Sequence, residues 1–96
     1  MAFLYRLQPP RASFAQDMNE AEAEVMERHI AYWQDLLGRG TALAFGPVLH
    51  PEDPWGLGLL NLEDEPDARA IGDADPAVVD GVCTYDVIAM ELVQPR

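Results

Sequence analysis

Residues 19–40, NEAEAEVMERHIAYWQDLLGRG, predict the long helix around which the rest of the chain is organised. Asn19 is a favourable N-cap, and Glu22 three residues later completes a capping-box pattern. The residues of Gly38–Gly40 end the helix, because glycine tolerates the left-handed conformation of a C-cap. Apolar side chains recur between these ends at steps of three and four residues, as in a helix with one buried face: Val25, Met26, Ile30, Trp33, Leu36 and Leu37.

Shorter segments on both sides of this helix predict strands and helical turns. Asp64 caps a short helix over residues 65–72, and Asp75 caps a single turn that starts at Pro76 and stops before Gly81. Branched and aromatic residues between turn signals predict four strands: Ala2–Leu7 and residues 41–49, 57–62 and 82–93. The proline-containing polar segments predict loops: residues 9–17 and 50–56.

The resulting order, β-α-β-β-α-β, predicts a ferredoxin-like α+β fold. In this fold a four-stranded antiparallel sheet carries both helices on one face. In the last predicted strand both alternating sets of side chains are largely apolar, with Ile88 and Met90 in one set and Tyr85 and Val87 in the other. A sheet that is apolar on both faces needs cover on both. We therefore expect the face without helices to pack on a second copy of the chain, as a two-fold homodimer.

The composition bounds the class of protein. A chain of 96 residues, 49% of them hydrophobic, predicts a single globular domain with a thin core. The net charge of −11 argues against a nucleic-acid partner and against an anionic membrane surface. Cys83 is the one cysteine, no apolar run is long enough to span a membrane, and the N-terminus has no signal-peptide pattern. These features predict a soluble cytoplasmic protein.

His29 lies within the apolar face of the long helix. It follows Val25 by four residues and precedes Trp33 by four, so its side chain is expected to pack on the sheet or to line a cleft beside it. An imidazole in this position needs partners for its ring nitrogens. Two interpretations stay open from the residues alone: a buried histidine with satisfied hydrogen bonds, or a group that transfers protons.

Two aspartates precede the last strand, and either could pair with His29. Asp75 is followed by Pro76, which is typical of an N-cap, and Asp73 lies two residues earlier. A carboxylate next to a histidine orients the ring and favours its protonated form. The local pattern decides neither between capping and pairing nor between Asp73 and Asp75.

The other residues with reactive or ligating side chains favour structural roles. His50, Glu52 and Asp53 carry donor atoms suited to a metal ion, but their spacing matches no recognised ligand pattern, so a solvated turn is favoured and no metal site is predicted. Cys83 has no basic neighbour in sequence and is expected to be a small core residue on the last strand. Trp55 either caps a pocket or packs.

The ordered set of segments resembles the YCII-related domain family over residues 2–93. The matching pieces are MERHIAYWQDLLGRG (26–40), ALAFGPVLHPEDPWGLGLL (42–60), DEPDARA (64–70) with the Asp-Pro turn after it, and GVCTYDVIAMEL (81–92). The resemblance implies an α+β fold that dimerises through its sheets, as in dimeric α+β barrels. It also implies a His–Asp pair as the active site, and by motif this pair is His29 and Asp75.

Two functions from different classes follow. The first is a lyase- or isomerase-like enzyme without a cofactor, in which His29 and Asp75 transfer a proton on a small aromatic or enol-like substrate. The side chains expected to bind that substrate are aromatic: Tyr32, Trp33 and Trp55. The resemblance supports this chemistry, because one branch of the family dehydrochlorinates a chlorinated hydroxyquinol, although no substrate-defining motif extends that activity to this chain. The second is a non-enzymatic domain that binds a small molecule or a protein, for which the acidic surface suits a basic partner.

Overall fold

The computed structural model describes residues 1–95 and confirms the predicted ferredoxin-like α+β fold. Four strands form one antiparallel sheet, and the helices pack on one of its faces. The elements in chain order are β1 (Ala2–Gln8), α1 (Phe14–Asp17), α2 (Glu20–Gly38), β2 (Ala42–Val48), β3 (Trp55–Leu60), α3 (Glu65–Ala74), α4 (Pro76–Val79) and β4 (Thr84–Met90).

The sheet has the strand order β2-β3-β1-β4, so the first and third strands lie in its centre. Tyr5 on β1 lies opposite Gly58 of β3 and Val87 of β4. Directly opposed residues of an antiparallel pair share a face, and successive residues alternate between faces. The face of Tyr5 is the one that the helices cover, because its ring packs against Trp33 of α2.

The long helix begins and ends where its caps predict. The Asn19 side chain accepts from the Glu22 N–H while the Glu22 carboxylate accepts from the Asn19 N–H, which completes the capping box. Gly40 has a φ of 77°, in the left-handed region that favours glycine. Trp33 and Leu36 are buried against the sheet, so the apolar face of α2 forms one wall of the core.

Three local predictions are corrected. The predicted loop over residues 9–17 contains α1, a single turn that is too short to show helical periodicity. Strand β3 begins at Trp55 and ends at Leu60, two residues before the predicted bounds at each end. Strand β4 is shorter than residues 82–93 and starts at Thr84, so Cys83 precedes the strand instead of lying on it.

The second face of the sheet carries apolar side chains without helices over them. Leu4, Leu59 and Ile88 lie opposite one another across β3, β1 and β4. Next to them Arg6 and Asp86 form a bidentate ion pair on the same face. Ile88 is 48% exposed in the single chain. Within residues 1–95 no helix combines the length and the apolar character needed to cross a bilayer.

Candidate active site

Asp75 is the buried polar centre of the molecule. It is completely inaccessible to solvent and joins α3 to α4, ending one helix and capping the next. Its Oδ1 accepts a hydrogen bond from the Ala77 N–H at 3.0 Å, which is the capping bond. The predicted cap therefore forms, and it occupies only part of the acceptor capacity of the carboxylate.

Two aromatic side chains donate to the other oxygen of this carboxylate. The Tyr5 hydroxyl lies 3.0 Å from Asp75 Oδ2, and the Trp33 Nε1–H donates to the same oxygen at 2.9 Å. Trp33 reaches this position because its six-membered ring lies on Gly58, where a Cβ would come within 2.4 Å of the indole. Bare backbone at Gly58 thus sets the position of the indole and, through it, of the hydrogen bond to Asp75.

His29 approaches Asp75 from α2. Its Nδ1 lies 2.9 Å from both carboxylate oxygens. An ionised carboxylate only accepts hydrogen bonds, so Nδ1 carries the proton and donates it. Nε2 makes no hydrogen bond within residues 1–95, and none of the fully buried side-chain nitrogens or oxygens there lacks a partner. Nε2 is therefore accessible, on a side chain that is 13% exposed.

The Asp75 cluster, meaning Asp75 with Tyr5, His29, Trp33 and the Ala77 N–H, keeps the carboxylate ionised. Burial alone would raise the pKa of Asp75. The hydrogen bond and the charge interaction with His29, together with hydrogen bonds from Trp33 and the Ala77 N–H, hold that pKa below its ordinary value. Burial raises the pKa of the Tyr5 hydroxyl, and the negative charge of Asp75 raises it further. At neutral pH the cluster therefore has an anionic carboxylate and a neutral phenol.

A cavity of about 400 Å³ lies between α2 and the sheet, and His29 is part of its wall. This volume is in the range of small-molecule sites. Arg11 donates hydrogen bonds to Asp17 of α1 and to Glu22 of α2, which tie the segment around α1 to α2. The rest of the wall is almost entirely apolar and comes from the strands, α2 and the segment around α1; it includes Leu7, Phe14, Met18, Met26, Ile30, Phe45, Pro47 and Leu57.

The aromatic residues predicted to bind substrate separate into two groups. Trp33 and Trp55 line the cavity. Tyr32 does not contribute to this lining: its hydroxyl donates to the Ile71 carbonyl at 2.7 Å, and its ring packs edge-on against Trp33. Tyr32 therefore holds α2 to α3.

Asp73 lies elsewhere than Asp75. It is exposed and accepts a hydrogen bond from the Tyr85 hydroxyl. Of the two aspartates left open by the sequence, Asp75 is the one that contacts His29.

The segment with His50 forms a turn. His50 Nδ1 accepts hydrogen bonds from the backbone N–H groups of Glu52 and Asp53, which closes the turn locally. Over residues 1–95 no three His, Cys, Asp or Glu side chains group as metal ligands would. Cys83 is buried in the core, as predicted, but it also borders the cavity, and burial with the nearby Asp75 charge raises its pKa to about 11.

Sequence reasoning did not identify Tyr5, Phe14 or Phe45 as site residues. Tyr5 belongs to an alternating strand, and this alternation shows only that one face is buried. Phe14 lies on the unpredicted α1, and Phe45 faces the cavity from β2. Only their common position beside His29 in three dimensions makes them part of the site.

A ferredoxin-like sheet with a carboxylate-bound histidine beside an apolar cavity defines a small α+β protein whose site lies between the helices and the sheet. The chain matches the model of the YCII-related domain over residues 2–91 and belongs to that family. No curated protein matches it significantly.

One similar solved structure is a 5-chloro-2-hydroxyhydroquinone dehydrochlorinase from Burkholderia phenoliruptrix, in complex with 2,5-dihydroxybenzoquinone. The TM-score is 0.72 at 16% identity, and the match covers 95% of this chain and 94% of the other. At this identity the likeness concerns the fold.

Proposed function

We propose that this protein is an enzyme that acts without a cofactor and transfers a proton on a small aromatic or enol-like substrate, in an elimination or an isomerisation. The observation that carries the proposal is the position of His29. One ring nitrogen is bound to a buried carboxylate, and the other is accessible on a side chain that lines an apolar cavity.

In this mechanism His29 is the base and then the acid. Nε2 accepts a proton from a C–H or O–H group of the substrate, and the imidazole becomes an imidazolium. Asp75 stabilises the positive charge that forms, because the anionic carboxylate already accepts the Nδ1–H bond. In an isomerisation the electron pair left on the substrate shifts to a neighbouring carbon, and Nε2–H returns the proton there. In an elimination the pair forms a double bond, the leaving group departs with its bonding electrons, and Nε2–H passes the proton to the leaving group or to solvent.

The cavity suits a planar, weakly polar ligand. Trp33, Trp55 and Phe45 supply aromatic surface, and the fold match includes a dehydrochlorinase in complex with a dihydroxybenzoquinone. A ligand in this apolar cavity would displace water from beside His29, which would strengthen the interaction between the developing imidazolium and Asp75.

The test is catalysed hydrogen exchange. With 1,2,4-trihydroxybenzene or 1,3-cyclohexanedione in D₂O, the wild-type protein should exchange a ring or α hydrogen above the uncatalysed rate, followed by ¹H NMR. Release of chloride from 5-chloro-2-hydroxyhydroquinone tests elimination directly. His29→Gln should lower either rate by roughly 100-fold or more, in line with the loss of a general acid–base group.

The chain offers a matched control in its other histidine. His50 is exposed in a loop and bonds only its own turn, so His50→Gln should keep the wild-type rate. Equal rates for His29→Gln and wild type would contradict the proposal.

We further propose that the protein is a homodimer formed through the second face of the sheet. Leu4, Leu59 and Ile88 give this face an apolar centre that only a partner would cover. Sedimentation equilibrium should give twice the chain mass, and Ile88→Glu should shift it to a monomer. Val79 is also exposed but lies on α4, so Val79→Glu should leave the dimer intact; a monomeric wild type contradicts this assembly.

The same cavity favours one alternative, a domain that binds a small molecule without converting it. In that case the probes would bind and raise the melting temperature, yet the exchange and chloride-release rates would equal those without protein. Binding with turnover and binding without turnover therefore separate the two functions.

A further inference from the structure

We propose that Tyr5 and Trp33 are positioning residues, which act through Asp75 to keep the reactive nitrogen of His29 directed at the cavity with the proton on Nδ1. This inference rests on the proposed function for its purpose.

The two side chains fix the orientation of the carboxylate. Asp75 Oδ2 accepts from the Tyr5 hydroxyl at 3.0 Å and from the Trp33 Nε1–H at 2.9 Å, while Oδ1 accepts from the Ala77 N–H. Donors on both oxygens prevent rotation of the carboxylate about its terminal bond. His29 Nδ1 can then lie 2.9 Å from each oxygen, so the direction of the imidazole ring follows from that of the carboxylate.

The same donors also lower the basicity of the carboxylate. A buried anion without neutral donors would attract the Nδ1 proton more strongly. Hydrogen bonds from a phenol and an indole distribute part of the negative charge. The hydrogen bond from His29 Nδ1 is thus weaker than one to a carboxylate without these donors.

Both donors are held rigidly for this task. Tyr5 lies on the central strand β1, and its ring stacks on Tyr85 with the centroids 5.4 Å apart. Trp33 is 1% exposed and rests on Gly58. Since Tyr5 and Trp33 both border the cavity but direct their polar atoms to Asp75, His29 Nε2 is the group left to meet the substrate.

The test compares Tyr5→Phe with Tyr32→Phe by ¹⁵N-edited NMR of His29. Each variant removes one hydroxyl with a single hydrogen bond, but Tyr32 bonds a backbone carbonyl and not Asp75. In Tyr5→Phe the Nδ1–H resonance of His29 should move downfield relative to wild type, because a carboxylate with fewer donors accepts a stronger hydrogen bond from Nδ1. Tyr32→Phe should leave this resonance unchanged. Trp33→Phe, which removes the second donor, should move it in the same direction as Tyr5→Phe.

Unchanged His29 signals in folded Tyr5→Phe and Trp33→Phe would overturn the proposal and leave both residues with a purely structural role. The NMR measurement needs no substrate, so it separates two failures. If the signals move but no probe exchanges hydrogen, the proposed function fails while the coupling through Asp75 stands. If exchange occurs and the signals do not move, only the positioning role fails.

Discussion

Replacing Asp75 by asparagine gives the sharpest test of the cluster, because no orientation of the amide satisfies every donor. If the amide oxygen takes the Oδ2 position, the NH₂ group faces the Ala77 N–H; if it takes the Oδ1 position, the NH₂ group faces the Trp33 Nε1–H. Either way one buried N–H loses its acceptor. In the second orientation the capping bond to Ala77 is kept, since asparagine is as good an N-cap as aspartate, and the loss falls on the Trp33 donor.

The magnitude follows from the bonds that change. One buried donor without an acceptor costs about 1–3 kcal/mol, and the remaining bonds lose their charge-assisted strength. Removal of a buried charge offsets part of this, so we expect Asp75→Asn to lower the free energy of unfolding by about 2–4 kcal/mol. With an m-value of about 1.5 kcal/mol/M, the urea midpoint should fall by about 1.3–2.7 M.

The assay is urea unfolding followed by tryptophan fluorescence, at one fixed protein concentration because association would add to stability. Asp73→Asn is the matched control: the same substitution two residues away, at an exposed side chain that accepts one bond from Tyr85. It should change stability by no more than about 0.5 kcal/mol. A midpoint for Asp75→Asn within about 0.3 M of wild type would refute the reasoning.

The remaining predictions concern acid stability, packing and thiol reactivity. The pKa of Asp75 is lower in the folded protein than its ordinary value of 3.8. The contribution of the ionised carboxylate to stability is therefore complete above that value and is lost as the pH falls through the folded pKa. Over that range the difference in urea midpoint between wild type and Asp75→Asn should narrow. Gly58→Ala should force the Trp33 indole away, which should destabilise the protein by about 1–3 kcal/mol and change its tryptophan fluorescence. Gly46→Ala has open space at its Cβ and should change neither the stability nor the fluorescence. Cys83, with a pKa of about 11, should react with iodoacetamide at neutral pH far more slowly than in urea, as a mass-spectrometric time course would show; equal rates would contradict its burial.

Local signals predicted the fold because each element carries its own start and stop. The Asn19 capping box and the apolar spacing of α2 are properties of neighbouring residues, and the structure has both. The same logic missed α1, because one turn offers no second repeat to recognise. It also extended the last strand beyond Met90, since branched residues continue past the point where pairing with β1 ends.

The site was less predictable, because its contacts are distant in sequence. His29 and Asp75 are 46 residues apart, and Tyr5 and Asp75 are 70 apart. Periodicity placed His29 on the buried face of α2 but gave no means of choosing between Asp73 and Asp75, which both precede the last strand. Tyr32 and Trp33 are adjacent aromatics on one helix, yet about 100° of rotation separates them, and only Trp33 faces the cavity.

Asp75 ends α3, caps the start of α4 and also accepts the hydrogen bond from His29. A relative without any chemistry would still gain stability from this aspartate, so its presence in another chain says little about whether that chain is active. The helix histidine has no such second duty: its loss would leave both caps in place. If the proposed mechanism holds, the residue at the position of His29 is therefore the one that would separate active from inactive members of this family, and the aspartate would not.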